Sequence, residues 1–185
     1  MGGMARLSMV TLAELPDLAC PYCGRVVAAD TPWAVAAVTS WGWCGVKLTV
    51  DEQVAGLLLL APLEETGHAM LMGAWVRAES VRSGYGKQLV QAASASLLSR
   101  KVRVIVARGG RRSLRCSAPP REYLKAIGFT RGLDDRLWRL DLDRTVADRS
   151  GVRGMFGRLI DSLRPVTPPE PAGGAISGRT THTGS

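Results

Sequence analysis

Apolar positions along this chain follow two different periods. From Leu89 to Leu98 they recur at helical spacing, with Leu89, Val90, Ala93, Leu97 and Leu98 on one side and Gln88, Gln91 and Ser94 elsewhere. This predicts an amphipathic helix over Lys87 to Ser99. Upstream, Gly45 to Val50 and Gln53 to Ala61 read as two strands of a hairpin, with Asp51-Glu52 at its turn and Pro62 as its stop. Leu63 to Gly67 is a loop, and Ala69 to Val76 reads as the next strand. Thr31-Pro32 can open a helix by capping, with proline at the first helical position, and that helix runs to Trp41 with Gly42 as its stop. Trp33, Trp41 and Trp43 fit core packing near the domain edge.

Beyond Ser99 the pattern becomes strand-like over Val102 to Val106. Pro119-Pro120 can start a further helix, Arg121 to Ile127, capped by Gly128, with Phe129 buried against a sheet. Leu137 to Leu142 alternates apolar and polar residues and predicts a last strand. The order helix, hairpin, strand, helix, strand, helix, strand predicts an α/β fold, a mixed central sheet flanked by helices. Val152, Met155, Phe156, Leu159, Ile160 and Leu163 repeat at helical spacing and predict a C-terminal amphipathic helix over 146–164. It would pack on the domain or on a partner, which leaves a homodimer open. Residues 165–185 are rich in Pro, Gly, Ser and Thr and read as a disordered tail.

The chain has 185 residues, a formal net charge of +8 and 46% hydrophobic residues, enough for one domain with a substantial core. The charge suits anionic partners. Its positive residues are scattered, apart from the cluster Arg108, Arg111, Arg112 and Arg115. Aromatic residues are sparse and do not alternate with the basic ones, which disfavours a nucleic-acid stacking surface. No apolar run approaches the roughly 20 residues that a spanning helix needs, and Leu57 to Leu60 is far too short. Met1 to Leu12 lacks the apolar stretch and cleavage site of a signal peptide. A cytoplasmic location is the resulting expectation.

Val81-Arg82-Ser83-Gly84-Tyr85-Gly86 lies between the Met70 to Val76 strand and the helix from Lys87. Gly84 and Gly86 let backbone turn tightly and approach a ligand. The first amides of the helix lack intrahelical partners and, with the helix dipole, favour phosphate. Arg82 and Lys87 add cations at the rim. No Gly-Lys-Ser/Thr closes the loop, so it is not a Walker site. The glycines do not read GxGxxG, and Arg100 to Val106 lacks the acidic residue of a dinucleotide site.

The four cysteines are Cys20, Cys23, Cys44 and Cys116. Cys20-Pro21-Tyr22-Cys23 has the spacing of half a zinc site, with Cys44 and Cys116 as further ligands. Structural zinc usually takes two close pairs, and Cys44 and Cys116 are isolated from each other. Local packing is therefore the preferred reading, no metal is expected, and any role of the thiols is structural. A thioredoxin-like use of the pair would need a strand-to-helix context that Leu12 to Ala19 does not show.

From Gly45 to Leu142 the chain resembles the GCN5-related N-acetyltransferase (GNAT) superfamily. Met70 to Val76 is similar to the family's central strand, whose exposed backbone pairs with the pantetheine arm of acetyl-CoA. Val81 to Leu89 is similar to its pyrophosphate loop and following helix, and Tyr123 to Phe129 to the helix that ends in Gly-Phe. The wider chain resembles an actinobacterial acetyltransferase-like group. Its features are matched by Cys20-Pro-Tyr-Cys23, Trp41-Gly-Trp-Cys44-Gly45 and Cys116-Ser-Ala-Pro-Pro120.

The resemblance implies residues 1–30 as an N-terminal extension with the Cys-x-x-Cys segment and 31–145 as an acetyltransferase-like domain. It implies acetyl-CoA as cosubstrate, held by Val76, Ala78, Arg82, Gly84, Tyr85, Gly86, Lys87 and Gln88. The implied reaction is direct attack of an amine, on a small molecule or a protein, on the thioester, with a backbone amide near Val76 stabilising the oxyanion. Val81 stands where the family commonly has Gln or Arg. Leu124 stands where many members have an acid tyrosine, and Tyr123 comes one residue early, turned by about 100° along a helix. The resemblance therefore does not hand Tyr123 the acid role. Glu64, Glu65, His68 and Glu79 are candidate bases near the ends of the central strand. The alternatives are a noncatalytic acetyl-CoA or acyl-CoA sensor and a nucleic-acid-binding regulator using the Arg108 to Arg115 patch.

Overall fold

The computed structural model describes residues 4–110, 115–134 and 136–147. Most of the expected helix over 146–164, the 165–185 tail, and Arg111 and Arg112 of the basic cluster lie outside the described residues. Seven strands form one mixed sheet in the order β1-β2-β3-β4-β5-β7-β6. The strands are β1 (Ala5–Val10), β2 (Gly45–Val50), β3 (Gln53–Pro62), β4 (His68–Val76), β5 (Val104–Arg108), β6 (Thr130–Arg131) and β7 (Leu137–Asp141). The helices are α1 (Pro32–Trp41), α2 (Tyr85–Ser99), α3 (Arg121–Ala126) and α4 (Leu142–Ala147). No helix among the described residues is long and apolar enough to cross a membrane.

Next to the middle strand β4 lies β3, buried from Ala55 to Ala61 because α1 and α2 both pack on it. Its continuous apolar run, Leu57 to Leu60, is what burial on two faces requires. The helix from Pro32 ends as expected, with Gly42 at φ 86° donating its amide to Val38 O. Trp41 and Trp43 are buried, with ring centroids 5.4 Å apart. Phe129 is buried as expected.

Four differences from the sequence expectations have local causes. Residues 5–10, for which no element was predicted, form β1 and pair antiparallel with β2 from Ala5↔Val50 to Val10↔Gly45. Leu7 and Met9 alternate with Arg6 and Ser8 there, a signal only six residues long. Ser94, expected on the polar side of α2, is fully buried; its hydroxyl donates to Val90 O at 2.7 Å, so burial leaves no donor unpaired. The strand expected over Val102 to Val106 begins instead at Val104, because the amides of Val102 and Arg103 bond Leu97 O and Gly67 O. Finally, α2 starts at Tyr85 rather than Lys87.

The hairpin turn carries an identifiable strain. Asp51 and Glu52 have φ of 47° and 65°, the left-handed region that a two-residue hairpin turn demands and that glycine fills most cheaply. Glu52→Gly is expected to raise stability by about 0.5–1 kcal/mol. Denaturant unfolding checks it: a midpoint at or below that of the parent contradicts it.

Candidate functional site

The chemistry-bearing region lies where β4 and β5 part. The two strands pair in parallel only from His68↔Val104 to Met70↔Val106. β5 then continues against β7 as far as Arg108↔Leu137, while β4 runs on to Val76 beside β3 alone. A bulge drives the separation. Leu59 pairs with Gly73 and Leu60 with Leu71, so Met72 is the extra residue in β4. Arg77 N–H bonds Ala55 O, which fixes the phase of the antiparallel ladder. Trp75 and Gly73 therefore turn their amides and carbonyls toward β3. Met72, Ala74 and Val76 turn theirs into the wedge.

That backbone edge is already bonded by other parts of the chain. Arg25 donates to Met72 O at 2.9 Å. Ala74 N–H donates to Cys116 O at 2.9 Å. The Tyr22 hydroxyl donates to Val76 O at 2.5 Å. Sequence reading singles out neither Tyr22 nor Arg25, because nothing local to residues 20–25 reveals that they fold onto a strand about fifty residues away.

Next to the end of β4, residues 78–80 form one turn of 3-10 helix, and the glycine loop follows. Arg82 at φ 71° and Gly84 at φ 77° give two left-handed turns in succession. They aim the chain into α2. The amides of Gly84, Tyr85, Gly86 and Lys87 make no hydrogen bond among the described residues; the first bonded amide is that of Gln88, to Gly84 O. Arg82, Gly84 and Lys87 are exposed. The expected cofactor-binding residues Val76, Ala78, Arg82, Gly84, Tyr85, Gly86, Lys87 and Gln88 thus form a continuous run from the open end of β4 to the first turn of α2.

The two glycines differ in what they face. A Cβ on Gly84 would meet nothing within 4 Å, whereas one on Gly86 would stand 2.9 Å from Ile127 Cγ2 and 3.3 Å from the Tyr123 hydroxyl. Gly86 therefore serves the close approach of α2 to α3, and Gly84 faces open space. Tyr123 lies under this contact. Its buried hydroxyl has no hydrogen-bond partner among the described residues, and burial, with a smaller contribution from Tyr22, pushes its pKa up. The neighbouring Leu124 is fully buried in the core.

The four candidate bases separate. His68 begins β4, eight residues before Val76 and so about 26 Å away along the strand. Glu65, 3.6 Å from His68, and Glu64 share that far end, so the structure removes all three from the wedge. Glu79 stands at the near end, 3.9 Å from the Arg77 guanidinium and close enough to Tyr22 to raise its pKa, second to burial.

Three of the cysteines meet beside the wedge. The Sγ atoms of Cys20, Cys23 and Cys116 all lie within 4.8 Å of one another. Backbone hydrogen bonding from Cys116, with smaller help from Arg25 and Cys20, lowers the Cys23 thiol to about 7 against the cost of its partial burial. Burial, and then the Cys23 side chain, push Cys116 up to about 12. Cys44 lies apart: it is fully buried, bonded to Val10 O at 3.4 Å, and pushed up to about 11 mainly by burial. The zinc alternative weighed from the sequence, against the preferred reading of local packing, included Cys44 as a ligand; the structure does not bring it to the other three.

No protein-family model and no curated protein sequence matches the chain. Solved structures share its fold. An acetyltransferase of the GNAT family from Staphylococcus aureus Mu50 superposes with a TM-score of 0.55 at 12% identity, over 75% of this chain and 99% of that one. The PaiA N-acetyltransferase from Thermoplasma acidophilum, in complex with coenzyme A, gives 0.55 at 12% identity over the same shares, 75% and 99%. The ribosomal-protein-S18-alanine N-acetyltransferase from Escherichia coli gives 0.50 at 15% identity, over 75% of this chain and 94% of that one. The mixed sheet with flanking helices is therefore the fold of the GNAT acetyltransferases.

Proposed function

We propose that the chain is an acetyl-CoA-dependent N-acetyltransferase. The observation that carries this reading is the free first turn of α2, with four unbonded amides and flanking Arg82 and Lys87, set beside the splayed end of β4. The pyrophosphate of CoA binds at Gly84 to Gln88, where amides, dipole and cations all favour negative charge. The pantetheine runs along the wedge beside Val76 to Ala78. For it to pair with Ala74 N–H, the segment holding Cys116 must withdraw, since that amide is already donated. The acceptor is an amine on a small molecule or protein, attacking the thioester directly. Cys20-Pro-Tyr-Cys23 is consistent with the actinobacterial acetyltransferase-like group that the sequence resembles.

Incubation of the chain with acetyl-CoA and a broad panel of amines tests this. Release of free CoA thiol above the blank, dependent on one class of amine, is the expected result. Tight CoA binding with no turnover on any amine would instead favour the acyl-CoA sensor. The occupied edge of β4 is the specific observation on that side.

Tyr123 is not the acid in this reading. Its hydroxyl is buried against Gly86 rather than exposed in the wedge. Tyr123→Phe is expected to keep most of the turnover and to leave stability unchanged or raised by about 1 kcal/mol, because an unpaired buried hydroxyl is removed. A hundredfold fall in kcat, about 2.7 kcal/mol of barrier, with fold and CoA affinity intact would contradict it.

A further inference from the structure

We propose that Cys20, Cys23 and Cys116 bind a zinc ion through their thiolates, and that this centre fastens two loop segments across the free edge of β4. The distances suit the metal. Tetrahedral zinc with bonds of about 2.3 Å sets neighbouring sulfurs about 3.8 Å apart. Cys23 Sγ and Cys116 Sγ are 3.7 Å apart, and the Cys20 sulfur lies within 4.8 Å of both. Small side-chain rotations complete the approach.

The backbone already holds the three residues in place. Cys20 N–H donates to Arg25 O and Gly24 N–H to Cys20 O, both at 2.9 Å, which closes 20–25 into a tight loop. Gly24 takes φ 66° to make that turn. Cys23 is exposed at the tip, giving metal a way in, while Cys20 and Cys116 are buried. Cys116 is anchored separately by its carbonyl, which accepts from Ala74 N–H. A cavity of about 10 Å³ lined by Cys20, Arg25, Gly73 and Cys116 adjoins the cluster and is about the size of one water. Three thiolates and one solvent ligand complete four-coordination. As each S–Zn bond forms, the thiol proton passes to solvent.

The centre links residues 93 apart in sequence. The same two segments supply Tyr22, Arg25 and the Cys116 carbonyl to the β4 edge. Bound zinc holds that edge covered, and its removal frees the edge. This last consequence rests on the acyl-CoA reading; the metal site itself does not.

The test uses the full chain, expressed with zinc and freed of loose metal by gel filtration. Atomic emission is expected to find one zinc per chain. Cobalt put in its place is expected to show sulfur-to-metal charge-transfer absorption. Alkylation followed by mass measurement is expected to find Cys20, Cys23 and Cys116 protected until a chelator is added. Cys20→Ser and Cys116→Ser are expected to lose the zinc and Cys44→Ser to keep it. Titration of the metal-free wild-type chain with zinc against a chromophoric chelator guards against variants that fail to fold. No zinc uptake by a folded wild-type chain would overturn the proposal. So would undiminished zinc in the Cys20→Ser, Cys116→Ser double variant, or a Cys23–Cys116 disulfide in the chain as isolated. CoA affinity measured with and without the chelator then tests the covered edge: a rise on zinc removal supports it, and no change removes that consequence while leaving the metal site standing.

Discussion

Gly86→Val is expected to destabilise the chain by about 2–3 kcal/mol, lowering Tm by about 8 °C. A Cβ at this position would stand 2.9 Å from Ile127 Cγ2 and 3.3 Å from the Tyr123 hydroxyl, before the two methyl groups of valine are added. Neither neighbour has room to yield cheaply. Ile127 is buried at the end of α3, and Tyr123 packs against the core. Gly84→Ala provides the contrast. Its Cβ would meet nothing within 4 Å, but φ is 77°, so its cost is the conformational one alone, about 1 kcal/mol. Thermal unfolding of the two variants separates packing from backbone strain. A Gly86→Val chain that melts with the parent would mean that α2 and α3 do not meet as described.

Reversing the two rim cations is expected to weaken CoA binding about thirtyfold, about 2 kcal/mol, in the double variant Arg82→Glu, Lys87→Glu. Both side chains are exposed at the free first turn of α2, so their exchange should leave the core unchanged. Exposure also means that salt screens them, and the difference between variant and parent should shrink as ionic strength rises. Calorimetry with CoA at low and high salt reads both effects. Equal affinity of variant and parent at low salt would place the pyrophosphate elsewhere.

Much of the fold was legible because its signals are local and long. The run Leu57 to Leu60 marks a strand covered on both faces, and Pro32 and Gly42 bracket α1 at its observed limits. β1 is weakly signalled because six residues give little periodicity, although Thr11 and Glu14 carry the capping signature of the turn after it. The Thr11 N–H does bond Glu14 Oε2 at 2.9 Å. The glycine loop was legible as a tight turn into a helix, as Gly84 at φ 77° ahead of α2 shows. What each glycine faces was not, since Ile127 and Tyr123 approach Gly86 from another helix. The same limit hid the edge of β4. Its partners Tyr22, Arg25 and Cys116 are brought there by chain reversals, and sequence spacing holds no trace of them. Cys20 and Cys23 announced themselves as a pair, but their third companion was decided by tertiary packing, which selected Cys116 and left Cys44 in the core.

Amide chemical shifts of the isotopically labelled chain during a CoA titration test the central claim most directly. The largest changes are expected at Gly84, Tyr85, Gly86, Lys87 and Gln88, with a second group at Ala74 to Ala78. Saturation at millimolar CoA with those five amides unmoved, or with shifts confined to the cavity lined by Arg6, Lys47 and Thr49, would contradict the account.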